Sequence, residues 1–125
     1  MNQPSQRYSE LDNFLRDRVG EYLRSIVHYD EEEYEFLFFR SDVEALYSDE
    51  ELAKIHEEWI IERLSKDFLE NLFHIGELKG ITQVFDDAVL VFLPLEEYEG
   101  IFFAYDSDAD IQMPSFLDEC LEKLD

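Results

Sequence analysis

The stretch Gly80–Tyr105 constrains the fold of this chain most. Two β-branched and aromatic runs, Ile81–Phe85 and Ala88–Leu93, flank the acidic pair Asp86 and Asp87, and a third run, Ile101–Tyr105, follows a polar loop closed by Gly100. Such runs joined by short turns specify an antiparallel three-strand meander. With the turn at Asp86 and Asp87, Phe85 pairs with Ala88, Val84 with Val89, Thr82 with Val91 and Ile81 with Phe92. Side chains alternate across a strand, so one face carries Ile81, Phe85, Ala88, Leu90 and Phe92 and the other Val84, Val89, Val91 and Leu93. Both faces are apolar, and both need cover from helices or a second subunit.

Helical periodicity elsewhere supplies candidates for that cover. Ser9 reads as an N-cap, with Glu10 and Asp12 in the first turn where the helix dipole favours negative charge. Leu11, Phe14, Leu15, Val19, Tyr22, Leu23 and Ile26 then predict an amphipathic helix of about four turns. Ser25–Tyr29 against Tyr34–Arg40 reads as a hairpin closed by the polar loop Asp30–Glu33. Arg40–Tyr47 is a connector with room for one helical turn. Ser48 and Glu51 form a capping box, and Leu52, Ile55, Trp59, Ile60, Leu64, Phe68, Leu72 and Ile75 predict the longest helix. That helix should stop at Gly76, and its length calls for either a kink near Ser65 or a far end that reaches a neighbour. Pro94 is expected to end the middle strand of the meander. Pro114 should open a last helix with Phe116, Leu117, Cys120, Leu121 and Leu124 on one face.

The predicted order is therefore α-β-β-α-β-β-β-α. It defines an α+β domain: a five-stranded antiparallel sheet, hairpin plus three-strand meander, with helices on both faces. One domain should span residues 9–125, after a flexible N-terminus over residues 1–8.

Composition sets the environment. The chain is 46% hydrophobic, enough for a full core, yet carries a net charge of −22 from 32 acidic and 10 basic residues. That charge suits either a DNA mimic or partner of basic proteins, or life in molar salt. In molar salt, screening shrinks to about 3 Å and an acidic shell keeps the protein soluble. The acids are dispersed over helix faces, turns and termini, which favours salt adaptation and a need for high KCl. The same shell argues against nucleic acid or anionic lipid as partners. No apolar run approaches a membrane span and no N-terminal leader follows Met1, so a cytoplasmic location is expected. Cys120 is the sole cysteine, which excludes an internal disulfide.

Catalytic and metal signatures are weak. Asp106, Asp108 and Asp110 imitate the start of an EF-hand loop, but Ile111 stands where the glycine belongs and Leu117 where the bidentate glutamate belongs. Weak cation binding is the most that turn offers. His56 and Glu57 imitate a zinc-protease helix, but Ile60 takes the place of the second histidine. Cys120, on an apolar helical stripe, reads as a buried small hydrophobe. The glycines are scattered and form no phosphate loop. No cofactor, metal or catalytic residue is assigned, which leans away from an enzyme.

The reading that remains is a non-enzymatic protein-interaction or regulatory module, expected as a homodimer with a protein partner the sequence does not identify. The candidate interface residues are Tyr34, Phe36, Phe38, Phe39, Trp59 and Phe68, aromatics of the kind enriched at interfaces. The alternative is a small-ligand sensor with a pocket between the long helix and the sheet near Trp59. A carboxylate-dependent enzyme ranks third.

Two resemblances bear on this. The element order resembles the roadblock/LC7 type of profilin-like fold, which implies a scaffold for dimeric interaction and regulation. The segments Leu23–Asp30, Arg40–Val43, Tyr47–Glu51 and Val84–Val89 resemble a family of small acidic haloarchaeal proteins. That likeness implies a high-salt cytoplasm and no active site.

Overall fold

The computed structural model describes residues 8–63, 65–96 and 98–124. Helix α1 (Ser9–Val19) leads through a short 3-10 turn into the hairpin β1 (Leu23–Tyr29) and β2 (Tyr34–Phe39). Helices α2 (Ser41–Glu44), α3 (Asp49–Arg63) and α4 (Ser65–Phe73) follow, then strands β3 (Ile81–Val84), β4 (Ala88–Glu96) and β5 (Glu99–Asp106), and last α5 (Ser115–Glu122). The five strands form one antiparallel sheet in the order β2-β1-β5-β4-β3. This is the α+β architecture the sequence predicts.

The meander has the expected register, with Ile81 opposite Phe92, Thr82 opposite Val91 and Val84 opposite Val89. Phe85 N–H donates to Ala88 O at 2.9 Å, closing the turn over Asp86 and Asp87. The middle of the sheet joins distant parts of the chain, because β1 pairs with β5.

The two sheet faces are covered differently. On the first, Leu11, Leu15 and Val19 of α1 and Phe116, Leu117 and Cys120 of α5 pack on Leu23, Ile26, Val91, Leu93, Ile101, Phe103 and Tyr105. Leu11, Leu15, Ile26, Ile101, Phe103 and Cys120 are wholly buried. Burying each large apolar side chain contributes roughly 1.5–3 kcal/mol, so this layer is the main source of stability. On the second face, Trp59 of α3 packs with Ile55 and Ile60 on Val27, Tyr29, Phe92, Phe102 and Ala104. Gly100 permits this layer: a Cβ there would lie 2.8 Å from the Tyr29 hydroxyl oxygen.

Several expectations need correction. The first helix ends at Val19, because Gly20 adopts φ +66° and turns the chain. Leu23 therefore belongs to β1, opposite Tyr105 of β5, and Ile26 lies in the hairpin strand expected over Ser25–Tyr29, opposite Phe38 of β2 and Phe103 of β5. Ser9 is the first helical residue and caps nothing; Tyr8 precedes it without a side-chain cap bond. Residues 1–7 of the predicted flexible terminus lie outside the described residues, as does Leu64. Tyr8 is core: it is 3% exposed and stacks on His28 at 5.0 Å. The long apolar stripe is divided between two helices, α3 and α4. The stop falls on His74, at φ 56°, two residues before Gly76. Its N–H still donates to Glu70 O at 3.2 Å, so the last turn is complete.

Pro94 does not end its strand either, since β4 runs on to Glu96 and Pro94 lies opposite Gly100. β3 reaches only to Phe92. One side of β4 is therefore without a ladder partner at Pro94, the setting in which a sheet tolerates proline.

Candidate functional site: a cleft between α3 and the sheet

α3 covers only part of the second face, and a cleft of about 480 Å³ opens beside it. The capping box fixes where α3 begins: Glu51 N–H donates to Ser48 Oγ at 3.1 Å, and Ser48 N–H to Glu51 Oε1 at 2.9 Å. From that start Leu52, Ile55 and Trp59 form one wall. Trp59 closes the inner end, its ring 4.9 Å from Phe102 and 5.3 Å from Tyr29. It is 4% exposed.

The opposite aromatic wall depends on a strand irregularity. Ile26 lies opposite Phe38 and Val27 opposite Phe36, so Leu37 is the extra residue of a β-bulge. Regular alternation would put Phe36 and Phe39 on opposite faces. The bulge puts both beside the cleft, stacked at 3.9 Å and nearly parallel. Phe38 falls on the other face, against the first core layer, with the Arg16 guanidinium 4.8 Å above its ring. Val43 of α2, Tyr47 of the connector and Phe85 of the β3–β4 turn complete the apolar lining.

Besides the Tyr47 phenol, the polar residues lining the cleft among the described residues are Arg24, Ser25, Asp86 and Asp87. The Arg24 charge is already answered. Arg24 Nη1 donates to Asp106 Oδ1 at 3.0 Å, Arg40 Nη1 to Asp106 Oδ2 at 2.9 Å, and Arg40 Nε to Asp42 Oδ1 at 2.7 Å. This cluster of two guanidinium and two carboxylate groups is electrically balanced. Burial pushes the Asp106 carboxyl upward, but hydrogen bonds from Arg40 and Arg24 outweigh it and hold the group below its ordinary value. Ser25 is 5% exposed, and its hydroxyl makes no hydrogen bond among the described residues. Asp86 and Asp87 are exposed at the rim. Their backbone is tied down by Ser107, whose Oγ donates to Asp86 O at 2.9 Å and whose N–H donates to Asp87 O at 3.1 Å. Neither carboxylate has a hydrogen-bond or ion-pair partner among the described residues.

A second feature lies outside the cleft. α4 carries Phe68, Leu72 and Phe73 exposed to 64%, 55% and 59%, and Ile75 beyond it is 85% exposed. Fraying does not explain this. Glu70 accepts from Lys66 Nζ at 2.6 Å and from Leu78 N–H at 2.7 Å, clasping the following turn to the helix. The same bonds, Lys66 first, lower the Glu70 carboxyl below its ordinary value.

The candidate interface residues therefore do not form one surface. Phe68 is exposed, Tyr34, Phe36, Phe38 and Phe39 are half-buried, and Trp59 is a core residue and cleft wall. Tyr34 joins the second layer, 5.2 Å from His56 and 6.2 Å from Trp59. The signals that sequence reasoning missed are Val43 and Tyr47, in an aperiodic connector, and the acidic turn as a cleft rim.

The weak motifs resolve into structural roles. Asp106 is bound by its two arginines. Among the described residues no group of three His, Cys, Asp or Glu is placed to hold a metal. His28 bonds Glu99 at 2.7 Å and His56 bonds the Asp30 carbonyl at 2.7 Å, far from a shared site. The Cys120 thiol is wholly buried, and burial, then the nearby Glu119 charge, pushes it up to about 12. A thiolate nucleophile is not available there at neutral pH. No helix among the described residues is long and apolar enough to cross a membrane.

No curated protein matches the chain. The family described as a domain of unknown function, DUF7522, matches residues 9–125, all of the chain from the first residue of α1 onward. That match lends no support to a roadblock/LC7 likeness or to a haloarchaeal origin. With cleft and sheet both inside the matched region, the chain belongs to the DUF7522 family.

Proposed function

We propose that this is a non-enzymatic interaction module of a salt-rich cytoplasm, self-associating through the apolar side of α4. The observation that carries this is the exposure of Phe68, Leu72, Phe73 and Ile75 on and just after a helix whose following turn is clasped to it. An amphipathic helix gains its stability by burying its apolar side, and a patch of this kind on a charged protein marks a contact surface. A second copy is the simplest occupant, since closed two-fold pairing is the commonest assembly. A shell of −22 opposes that pairing in dilute buffer, and molar salt relieves the repulsion. Light scattering in molar KCl is expected to give twice the chain mass, and thermal melts are expected to rise steeply with KCl. A monomer at high micromolar concentration would remove the homodimer. A melting temperature indifferent to salt would remove the salt adaptation and favour a partner for basic proteins.

A second reading has its own support. The cleft beside Trp59 falls within the ~300–1,000 Å³ range of small-molecule sites and combines an apolar lining with a few polar groups. It favours a ligand-sensing role, read out by quenching or shift of Trp59 fluorescence as candidate ligands are added.

A further inference from the structure

Resting on the ligand-binding reading of the cleft, we infer that its ligand is an apolar organic cation: an aromatic or alkyl body ending in an ammonium group. The walls select the body. Phe36, Phe39, Trp59 and Phe102 line the cavity, and a cavity of about 480 Å³ has room for a ring with a short chain.

The rim selects the sign of the charge. Among the described residues, Asp86 and Asp87 are the charged cleft groups left unanswered, because Arg24 is bound to Asp106, and Arg40 and Asp42 complete that neutral cluster. An anionic ligand would meet two bare carboxylates at the mouth and a molecule of net charge −22 around them. A cation meets attraction from the rim at close range, where salt screens least. Ser107 holds the turn by its Asp86 and Asp87 carbonyls, so the two carboxylates are presented from a fixed backbone. Ser25 adds one hydroxyl to the lining, for a hydrogen-bonding group on the ligand body.

A matched series separates this inference from the reading beneath it. Phenethylamine, phenethyl alcohol and phenylacetate share a ring and differ in the end group. Titrated into the full chain in KCl, with the single tryptophan and ligand-observed NMR as readouts, the amine should bind roughly tenfold more tightly than the alcohol. Phenylacetate should bind weakest. In the double variant D86N/D87N, on an exposed turn, the amine and the alcohol should approach parity with the fold unchanged by circular dichroism. An alcohol that binds as tightly as the amine overturns the cation inference and leaves ligand binding standing. An amine preference that survives D86N/D87N overturns the role given to the rim. If no member of the series binds up to its solubility limit, both the inference and the ligand-binding reading fall.

Discussion

The two faces of the sheet use similar residues for different ends. On the face under α1 and α5, Phe103, Ile101, Leu11 and Phe116 are buried to within 1%, and two helices close the layer from both sides. On the face under α3, rings as large pack around Trp59 but leave a cleft, and α4 extends from it with its own apolar side uncovered. One helix is about 10 Å wide, whereas five strands spaced about 4.8 Å apart span roughly twice that. One helix cannot close such a face. The difference shows how a small domain can close one layer fully while the other, though packed around Trp59, stays partly open.

Paired substitutions test that division, and the largest effect belongs to the closed face. Phe103→Ala should cost about 4–5 kcal/mol, at the upper end for a buried aromatic, since its neighbours have no room to relax. Trp59→Ala should cost nearer 3 kcal/mol, because the cleft already leaves one flank of the indole unpacked. Denaturant melts that rank the two in reverse would break the comparison. Trp59 fluorescence characteristic of water-exposed indole would break it sooner.

The next effect concerns the cluster at the cleft's edge. Asp106→Asn removes the ionic acceptor shared by Arg24 and Arg40 and should cost roughly 1.5–3 kcal/mol. The sign of its pH dependence follows from the lowered Asp106 carboxyl. Its contribution is fully present above the unfolded value near ~3.9 and is lost as pH falls through the lower folded value. The stability gap between wild type and D106N should therefore hold from neutrality to about pH 4 and close only below it. A gap that closes near neutrality would assign the effect to another group.

The smallest effect on the isolated chain should come from Phe68→Ser. An exposed substitution of this kind usually changes stability by no more than about 0.5 kcal/mol, yet it removes the more exposed of the two phenyl rings in the α4 patch. Light scattering should show weakened self-association with the melt of the monomer unchanged. A large loss of monomer stability would mean that α4 is part of the core after all.

How much of this was legible in the sequence depended on whether the information was local. The register of β3 and β4 followed from alternation and the pair Asp86 and Asp87, and the start of α3 followed from Ser48 and Glu51. Both are set by residues a few positions apart. The end of α1 was misread because Leu23 and Ile26 fit a helical stripe as well as a strand, and β5, far along the chain, decides between them. The division of the aromatic strand was hidden for a similar reason. A bulge at Leu37 is a property of pairing with β1, and it sends Phe38 one way and Phe36 and Phe39 the other. The pocket near Trp59 was expected from that residue alone. Its rim draws on Val43, Tyr47 and Asp87, which no single periodicity connects.

The β1–β5 seam has a consequence for how the chain must fold. The hairpin of β1 and β2 and the meander of β3 to β5 are built from local contacts, but the centre of the sheet joins Leu23 to Tyr105 and Tyr29 to Gly100. Contacts so far apart in sequence form only after most of the chain has been drawn into a loop, the hallmark of high contact order and slow folding. Ionisable pairs clasp the seam at both ends, Arg24 with Asp106 at one and His28 with Glu99 at the other. A nascent chain released before β5 is complete has two local sheets and no shared centre, with the apolar edges of β1 and β4 open to other chains.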